Sequence, residues 1–376
     1  MPSNKIKNVL YVGDYGDNYP RNYIFITGLK KQKINVYEVN LAEFNKRQRI
    51  KVLLRSFKRF KKKRIDIILF YSIRTSPINF TLSRIFAYIK RIPFVHDIFI
   101  SKHLTYFYDR KLNIVKRKLK IKLYYWLYYY LLDFFECHLS DYVILDTASH
   151  IKYFHEKYNV PIRKFRKVYV GSREDLYFPR IRAEENEDRF IVGYWGTYIP
   201  LHGVKYMIKA FKLLENQDKI SFWLVGKGQT YRKNRELAEK LNIKNIKFIS
   251  KTFLKDNPHE LPEIISNFDL GLGLYGNSQK TMLAIPNKVF EGMAMKIPMV
   301  TCKSPAIREL LTENEHIILC ERANPESLAE AILRLKNDES LRSKIKENAF
   351  RLYKDCCTIE KIGKLLEKIL NNIIGH

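Results

Sequence analysis

The hydrophobic positions in the first half of the chain form short runs that alternate with longer stretches of helical spacing. Short apolar runs rich in Val, Ile and aromatic residues are typical of strands buried in a sheet. A strand-helix-strand alternation of this kind predicts a parallel α/β sheet. The predicted strands of this half are 8–12, 35–39, 65–71, 93–95, 142–145 and 167–170.

The same alternation restarts after a polar, acidic stretch at 182–189, where we place a domain boundary. The predicted strands there are 190–193, 221–225, 246–249, 270–274 and 299–301. We therefore expect two doubly wound, Rossmann-like α/β domains facing a cleft, with ligands outside the carboxyl ends of the strands. The first would span 1–180 and the second 190–355, with 356–376 as a closing helix that can cross back onto the first domain.

Residues 115–135 combine a basic entry with a run of Tyr, Trp and Leu. The uninterrupted apolar part, 123–132, is shorter than the about 20 residues that a bilayer span requires. The pattern fits an interfacial helix, with aromatic rings at headgroup depth and basic residues against anionic lipid. It fits equally a large buried helix with a basic first turn, and both interpretations stay open.

Charge and cysteine content limit the possible binding partners and the cellular compartment. The 376 residues carry a formal net charge of +29, most of it in the first 180 residues, where 55–64 and 163–167 are further basic runs. Such a surface favours nucleic acid, an anionic membrane or a phosphorylated substrate. Five cysteines without a C-x-x-C pair argue against a disulfide framework or a structural zinc site and favour reduced cytosolic thiols. The first residues read as a strand and not as a signal peptide.

Two glycine-containing loops follow predicted strands of the second half. The first is 193–204, with Gly196 and Gly203, and it opens a predicted helix at about 205–214. The second holds Gly226, Lys227 and Gly228. Because glycine lets backbone N–H groups approach a ligand and a helix start adds partial positive charge, the pair predicts a diphosphate site.

A third element is more specific. Pro286 opens a predicted helix that contains Glu291 and ends at Pro298 before a strand. Here the sequence resembles the GT-B glycosyltransferases of family 4, the glycosyl transferases group 1, which carry a P-x-K-x-x-E-x-x-A-x-x-x-P helix. The resemblance extends over nearly the whole chain, through 12–16 with Arg21, 145–147, 170–171 and 178–179.

The resemblance implies roles for particular residues. Glu291 matches the second Glu of the family's E-x7-E element, which holds the ribose hydroxyls, whereas Leu283 stands where the first Glu faces the donor sugar. Thr197 and His202 stand where the family has its phosphate-binding Arg and Lys. Lys288 is then the remaining cation for the diphosphate, with His202 beside it.

In the first domain the resemblance places Gly13, Asp14, Gly16 and Arg21 on the acceptor side. His96 and Asp97 end a predicted strand at the cleft edge, where the family often has a His or an Asp near the reacting sugar. We therefore predict these two residues as catalytic. A structural histidine and a carboxylate that caps the following turn are the alternatives, and 109–110 fits an acceptor contact or a simple ion pair.

The resemblance implies transfer of a sugar from a nucleotide sugar to a lipid-linked or surface-glycan acceptor. It also implies retention of configuration and no metal or other cofactor, in agreement with the lack of an Asp-x-Asp loop. We expect a cytoplasmic protein, peripheral on the inner membrane face, since the basic excess gathers beside the aromatic helix. The alternatives are a basic nucleic-acid-binding protein, and a nucleotide-sugar epimerase or inactive homologue of the same fold, suggested by Leu283 and Thr197.

Overall fold

The computed structural model describes residues 5–16, 19–72, 77–109, 119–181, 189–251 and 257–375. The chain divides into two compact units, Met1–Val170 with Ile359–His376, and Gly171–Thr358. Residues 171–180, which we assigned to the first domain, thus belong to the second. One reason is that Tyr353 of the second unit donates a hydrogen bond to the carbonyl of Ser172. Three sequence predictions fall partly outside the described residues. Arg110 and the start of the aromatic segment lie within 110–118, and most of the acidic stretch lies within 182–188.

The first unit contains a six-stranded parallel sheet in the order β2-β1-β3-β4-β5-β6. A π-helix, His103–Asp109, lies between β4 and α4. The elements in chain order are β1 (Asn8–Asp14), α1 (Pro20–Lys31), β2 (Asn35–Asn40), α2 (Lys46–Phe60), β3 (Ile67–Ser72), α3 (Pro77–Lys90), β4 (Phe94–Asp97), α4 (Leu119–Leu139), β5 (Tyr142–Leu145), α5 (Ala148–Tyr158) and β6 (Phe165–Lys167).

The second unit contains another six-stranded parallel sheet, in the order β12-β11-β10-β7-β8-β9. This order reverses between β7 and β10, and in doubly wound folds such a switch point is where ligands bind. The elements are β7 (Phe190–Trp195), α6 (Val204–Leu213), β8 (Ile220–Val225), α7 (Tyr231–Lys240), β9 (Ile246–Ile249), α8 (Glu260–Ile265), β10 (Leu270–Leu272), α9 (Asn287–Ala294), β11 (Met299–Cys302), α10 (Pro305–Arg308), β12 (Ile318–Cys320), α11 (Pro325–Asn337) and α12 (Glu339–Cys356).

The last helix, α13 (Ile359–Ile374), packs on α1 of the first unit. Its buried face repeats at helical spacing, through Ile359, Ile362, Leu366, Ile369 and Ile373. The two helices meet at Gly28 and Gly363, where a β-carbon on Gly363 would lie 2.4 Å from the carbonyl oxygen of Gly28. Only hydrogen fits at this crossing, so the contact is fixed by the two glycines.

The predicted fold class, two doubly wound α/β units, is confirmed. Most predicted strands match within two residues, but β6 ends at Lys167, where the prediction began, and β12 was not predicted. Pro286 caps α9 from outside and is not its first residue. Within the described ranges no helix has both the length and the apolar character to cross a bilayer.

Candidate functional site

The two glycine loops of the second unit lie side by side at the carboxyl edge of its sheet. The N–H of Gly196, directly after β7, donates to the carbonyl of Val225 at the end of β8, at 3.0 Å. Farther out, the N–H of Tyr198 donates to the carbonyl of Lys227 at 2.9 Å. The predicted loops therefore form one layered surface at the switch point of the sheet.

The loop after β8 requires glycine at position 226. The backbone of Gly226 has a φ of +126°, and a β-carbon would lie 2.1 Å from the carbonyl oxygen of Gly196. The constraint comes from the neighbouring loop, whereas the sequence interpretation assigned these glycines to a ligand. Gly228 is similarly close to the backbone of Tyr198.

A third loop, which the sequence interpretation did not include, completes this edge. Gly203 adopts a left-handed φ of +67°, and a β-carbon on it would lie 2.5 Å from the N–H nitrogen of Gly276. Gly276 follows β10, and its N–H donates to the carbonyl of Leu201. The loop after β10 is thus locked to the loop after β7, across the switch point.

Lys288 is buried beneath this surface, in the first turn of α9. A β-carbon on Gly196 would lie 3.4 Å from its ammonium nitrogen and 3.4 Å from Cε1 of His202. Among the described residues the ammonium has no hydrogen-bond partner; it lies 4.2 Å from the ring centre of Tyr194. Burial lowers the pKa of Lys288 to about 7, against a smaller opposite effect of Glu291. An unpaired buried ammonium is costly unless an anion binds to it.

Tyr194 links the lysine to the predicted histidine. Its hydroxyl lies 2.6 Å from Nδ1 of His202 and 3.2 Å from the carbonyl oxygen of Thr197. If the hydroxyl donates to that carbonyl, Nδ1 of His202 carries the proton and donates to Tyr194. Tyr194 was not predicted as a site residue; its position near the end of β7, within the predicted 193–204 loop, was the available signal.

Glu291 lies one turn after Lys288 and is also buried. Its Oε2 accepts a hydrogen bond from the indole nitrogen of Trp195 at 2.5 Å. Burial raises the pKa of Glu291, while the indole and Lys288 act in the opposite direction. Burial raises the pKa of Tyr177 well above its ordinary value, and the charge of Glu291 raises it further. Trp195 orients the carboxylate and leaves Oε1 for another donor.

The remaining donor-side predictions have varied positions. Thr197 and Lys227 are exposed on the two loops, and Gly203 is buried. Leu283 is buried at the end of a short 3₁₀ turn, Gln279–Met282, eight residues before Glu291. The apolar side chain of Leu283 thus occupies the position where the family resemblance expects a sugar-binding carboxylate.

In the first unit, Arg21 and Asp97 form a fully buried ion pair. Nε of Arg21 donates to Oδ2 of Asp97 at 2.8 Å and its Nη2 donates to Oδ1 at 2.7 Å. The third nitrogen, Nη1, donates to the carbonyl of Val168 at 3.1 Å. The guanidinium also lies between the rings of Phe25 and Phe99. With both groups saturated by each other, the pair fixes α1 to the carboxyl end of β4.

His96 points to the opposite face of β4, as neighbouring strand residues must. Its ring packs among Phe70 and Phe80, with centroid distances of 5.3 Å to each. The side chain has no exposed surface, its nitrogens make no hydrogen bond of normal geometry with described residues, and burial lowers its pKa well below the ordinary value. The ring of His96 is thus enclosed by aromatic side chains on one face of β4, and the carboxylate of Asp97 is ion-paired on the other. The catalytic roles of the two residues remain predictions.

The other acceptor-side predictions lie at the end of β1. Asp14 is buried and pairs with Arg49 of α2 at 2.6 Å. Gly13 abuts the carbonyl of Tyr71, whereas a β-carbon on Gly16 would meet no described atom within 4 Å. Since β1 and β3 flank the switch point of this sheet, Gly13, Asp14 and Gly16 lie where a ligand of this unit is expected.

Metal binding has no obvious place in the described part of the chain. There, no three His, Cys, Asp or Glu side chains converge as a metal site requires. Metal independence remains a prediction.

The chain was compared with protein families and with known proteins. Residues 179–352, most of the second unit, match the family model of the glycosyl transferases group 1. An uncharacterised glycosyltransferase of Methanocaldococcus jannaschii is 26% identical over 186 residues, 48% of this chain and 46% of that protein. The capsular polysaccharide biosynthesis glycosyltransferase CapM of Staphylococcus aureus is 23% identical over 232 residues, 57% of each chain. The chain thus spans about half the length of these curated relatives.

A solved structure matches over both units. Anabaena HepE, in complex with UDP and glucose, has a TM-score of 0.68 at 15% identity, covering 96% of this chain and 98% of its own. At this identity the likeness shows the fold alone, and it confirms the predicted GT-B fold.

Proposed function

We propose that this chain, whose second unit matches the group 1 family model, transfers a sugar from a nucleotide-sugar donor to a lipid-linked or surface-glycan acceptor. The observation that carries the proposal is Lys288, a buried ammonium without a hydrogen-bond partner among the described residues, at a glycine-lined switch point. A diphosphate is the ligand that would satisfy it. The glycosyltransferase names of the relatives, and the UDP bound to HepE, support this choice of ligand.

Lys288 would stabilise the departing nucleoside diphosphate. As the bond between the sugar C1 and the phosphate oxygen breaks, negative charge grows on the leaving group, and a fixed ammonium in a water-poor site lowers the barrier. His202 and the N–H groups of the glycine loops would share this charge, so no metal is required. Glu291, oriented by Trp195, would accept hydrogen bonds from the ribose through Oε1.

The acceptor step needs no free protein base in this proposal. The new bond forms between C1 and the acceptor oxygen on the side that the diphosphate leaves, and the acceptor proton passes to the departing phosphate. Retention of configuration follows. The burial of Asp97 with Arg21 and of His96 among aromatic rings supports this route, since neither is presented as a base.

Binding of a nucleoside diphosphate should depend on pH through Lys288. Its pKa of about 7 leaves the ammonium protonated below pH 7 and neutral well above it. Because the bound diphosphate restores the protonated form, binding above pH 7 takes up a proton and weakens by up to about tenfold per pH unit. Calorimetric titration of UDP and GDP in buffers of different ionisation enthalpy measures this uptake.

Lys288→Arg is the matched variant, because a guanidinium stays charged throughout this range. The other titrating groups, including the terminal phosphate of the nucleotide, are the same in both proteins, so the part of the pH dependence that this variant removes belongs to Lys288. Affinity that is flat with pH in the unmodified protein, or binding of neither nucleotide, would contradict the assignment of Lys288 to the diphosphate.

We also propose that the first unit docks on the inner, cytoplasmic face of a membrane. Six large apolar residues of α4 recur at every fourth position, and all are exposed: Leu119, Leu123, Leu127, Leu131, Phe135 and Leu139. Residues spaced by four lie on one slowly turning stripe of a helix. We call this stripe the α4 ridge. Its exposure favours the interfacial interpretation of the aromatic segment over the buried one.

Helix α3 packs beside α4 and extends the apolar surface. Ile85, Tyr88 and Ile89 are exposed there, Tyr88 at 76% and Ile89 at 65%. Contiguous exposed apolar residues of this size mark an interaction surface. With the surrounding basic residues, an anionic bilayer matches this surface better than nucleic acid does, because nucleic acid offers no apolar layer for the ridge.

Removing ridge leucines should release the protein from vesicles. Leu123→Ser/Leu127→Ser lowers the apolar area available for insertion, and at about 25 cal/mol per Å² we expect partitioning to fall about tenfold or more. Co-sedimentation with phosphatidylglycerol-containing vesicles measures it. Leu213→Ser/Leu365→Ser removes two exposed leucines from helices outside this surface and should have little effect. Equal binding by both variants would exclude the ridge as the docking element.

A further inference from the structure

A basic pocket of about 610 Å³ opens at the amino edge of the first unit's sheet. It is formed where α4 ends, where β5 begins and where β6 begins. Four cationic side chains and one carboxylate line it: Arg84, Arg163, Lys164, Arg166 and Asp141. The residues predicted for the donor and the acceptor follow the carboxyl ends of strands. The pocket lies at the opposite edge of the first unit's sheet, so it contains none of those residues.

The cations of the pocket are mostly satisfied by neutral groups. Arg84 pairs with Asp141 at 3.0 Å. Lys164 donates instead to the carbonyl of His138 at 2.8 Å, and Arg166 to the carbonyls of Arg163 and Phe165. Arg163 makes no hydrogen bond or ion pair through its side chain among the described residues. Three positive charges therefore face this space without a carboxylate of their own.

The charges of the pocket also act on Lys164. Burial lowers its pKa, Asp141 and Cys137 oppose that change, and Arg84 and Arg163 make smaller contributions that lower it. A bound anion would offset the positive charge that Arg84, Arg163 and Lys164 bring to this space. The planar guanidinium of an arginine offers paired N–H donors that match phosphate oxygens.

The pocket is continuous with the apolar surface of α3 and α4. Leu139 is both the last residue of the α4 ridge and part of the pocket wall. Arg84 donates to the carbonyl of Leu139 at 2.8 Å, and one turn farther along α3 is exposed Tyr88. Ile162, 60% exposed, precedes Arg163 on the other side. Charged groups thus lie at the end of an apolar strip, the arrangement of a phospholipid with its headgroup at one end of its chains.

We propose that this pocket binds the phosphate headgroup of an anionic phospholipid while the α4 ridge contacts the acyl region. The proposal rests on the membrane docking proposed above and deepens it, because it predicts lipid selectivity at one place and not general attraction to negative charge. A diffuse basic surface would respond to total charge wherever it is located. The pocket would respond to its own arginines.

The test compares two variants that lose the same charge. Arg163→Gln/Arg166→Gln removes two cations from the pocket, and Lys46→Gln/Arg47→Gln removes two exposed cations after β2, at the opposite edge of the sheet. Binding is measured by co-sedimentation with phosphatidylcholine vesicles with and without phosphatidylglycerol. Each basic group at an anionic surface contributes a factor of roughly five. We expect the pocket variant to lose at least about tenfold in binding to the phosphatidylglycerol vesicles and the control to lose little.

Two further variants protect the result from a folding artefact. Arg163→Gln alone disturbs no hydrogen bond of its own side chain and should give a smaller loss in the same direction. Arg163→Lys/Arg166→Lys keeps the charge but loses the paired guanidinium donors, so it should restore only part of the binding. Equal binding of pocket and control variants would overturn the headgroup pocket while leaving membrane docking in place. Failure of the unmodified protein to bind either vesicle would overturn both the headgroup pocket and the membrane docking. The proposed sugar transfer is tested separately, with a soluble acceptor, and does not depend on that outcome.

Discussion

Replacing Lys288 by methionine should lower turnover by about 10²–10³-fold, the effect of removing one group that stabilises developing charge in a transition state. The same change should leave the second unit at least as stable, because it removes a buried ammonium that has no hydrogen-bond partner among the described residues. Loss of activity without loss of stability is therefore the expected result. Initial rates with saturating donor, beside a thermal unfolding curve, measure both.

Two comparisons make the Lys288 result specific. Lys209→Met removes an exposed lysine from α6 and should change neither rate nor affinity. Glu291→Gln weakens a charge-assisted hydrogen bond to the ribose, so it should reduce donor affinity, by about 1.5–3 kcal/mol, more than turnover. A Lys288→Met enzyme that retains normal turnover would place the diphosphate elsewhere.

Asp97→Ala should destabilise the first unit by about 3–5 kcal/mol, because it leaves the guanidinium of Arg21 buried without its carboxylate. Asp97 has no exposed surface, and both of its oxygens accept from Arg21. Urea unfolding, followed by circular dichroism, should show an early transition in the variant. The effect is structural, and it reduces activity only by reducing the folded fraction.

The double variant Arg21→Met/Asp97→Ala separates this explanation from catalysis. Removing both charges eliminates the unpaired group, so much of the lost stability should return. A catalytic Asp97 predicts another pattern: the single variant would stay folded with greatly reduced turnover, and Arg21→Met would not rescue it. That pattern would restore the role that the family resemblance suggested.

Elements with a long, regular pattern could be predicted from the sequence. The closing helix was predicted at 356–376, and α13 spans Ile359–Ile374. Each strand of the second sheet except β12 was also predicted. The boundary after Val170 could not be predicted, because it depends on distant contacts such as that between Tyr353 and Ser172. The three residues of β12, Ile318–Cys320, were not predicted as a strand.

The sequence predicted which residues make up the candidate donor site but not the contacts that position them. Lys288, Glu291 and His202 do lie near Gly196. Trp195 was missed because its partner Glu291 lies 96 positions away. Tyr194 was missed although its partner His202 lies only 8 positions away. The opposite orientations of His96 and Asp97 were available from strand alternation alone. The close contact between the loops of Gly196 and Gly226 was not available, since a glycine pattern does not say what approaches it.

The packing of α13 on α1 sets the order in which the chain matures as it is synthesised. A ribosome delivers residues 20–31 early and 359–374 only after all of 171–358 has been made. During that interval the second unit already has every strand of its sheet, whereas the face of α1 around Gly28 has no covering helix. The unit that begins first is thus completed last, and the face of α1 that α13 covers stays open until residues 359–374 have been synthesised.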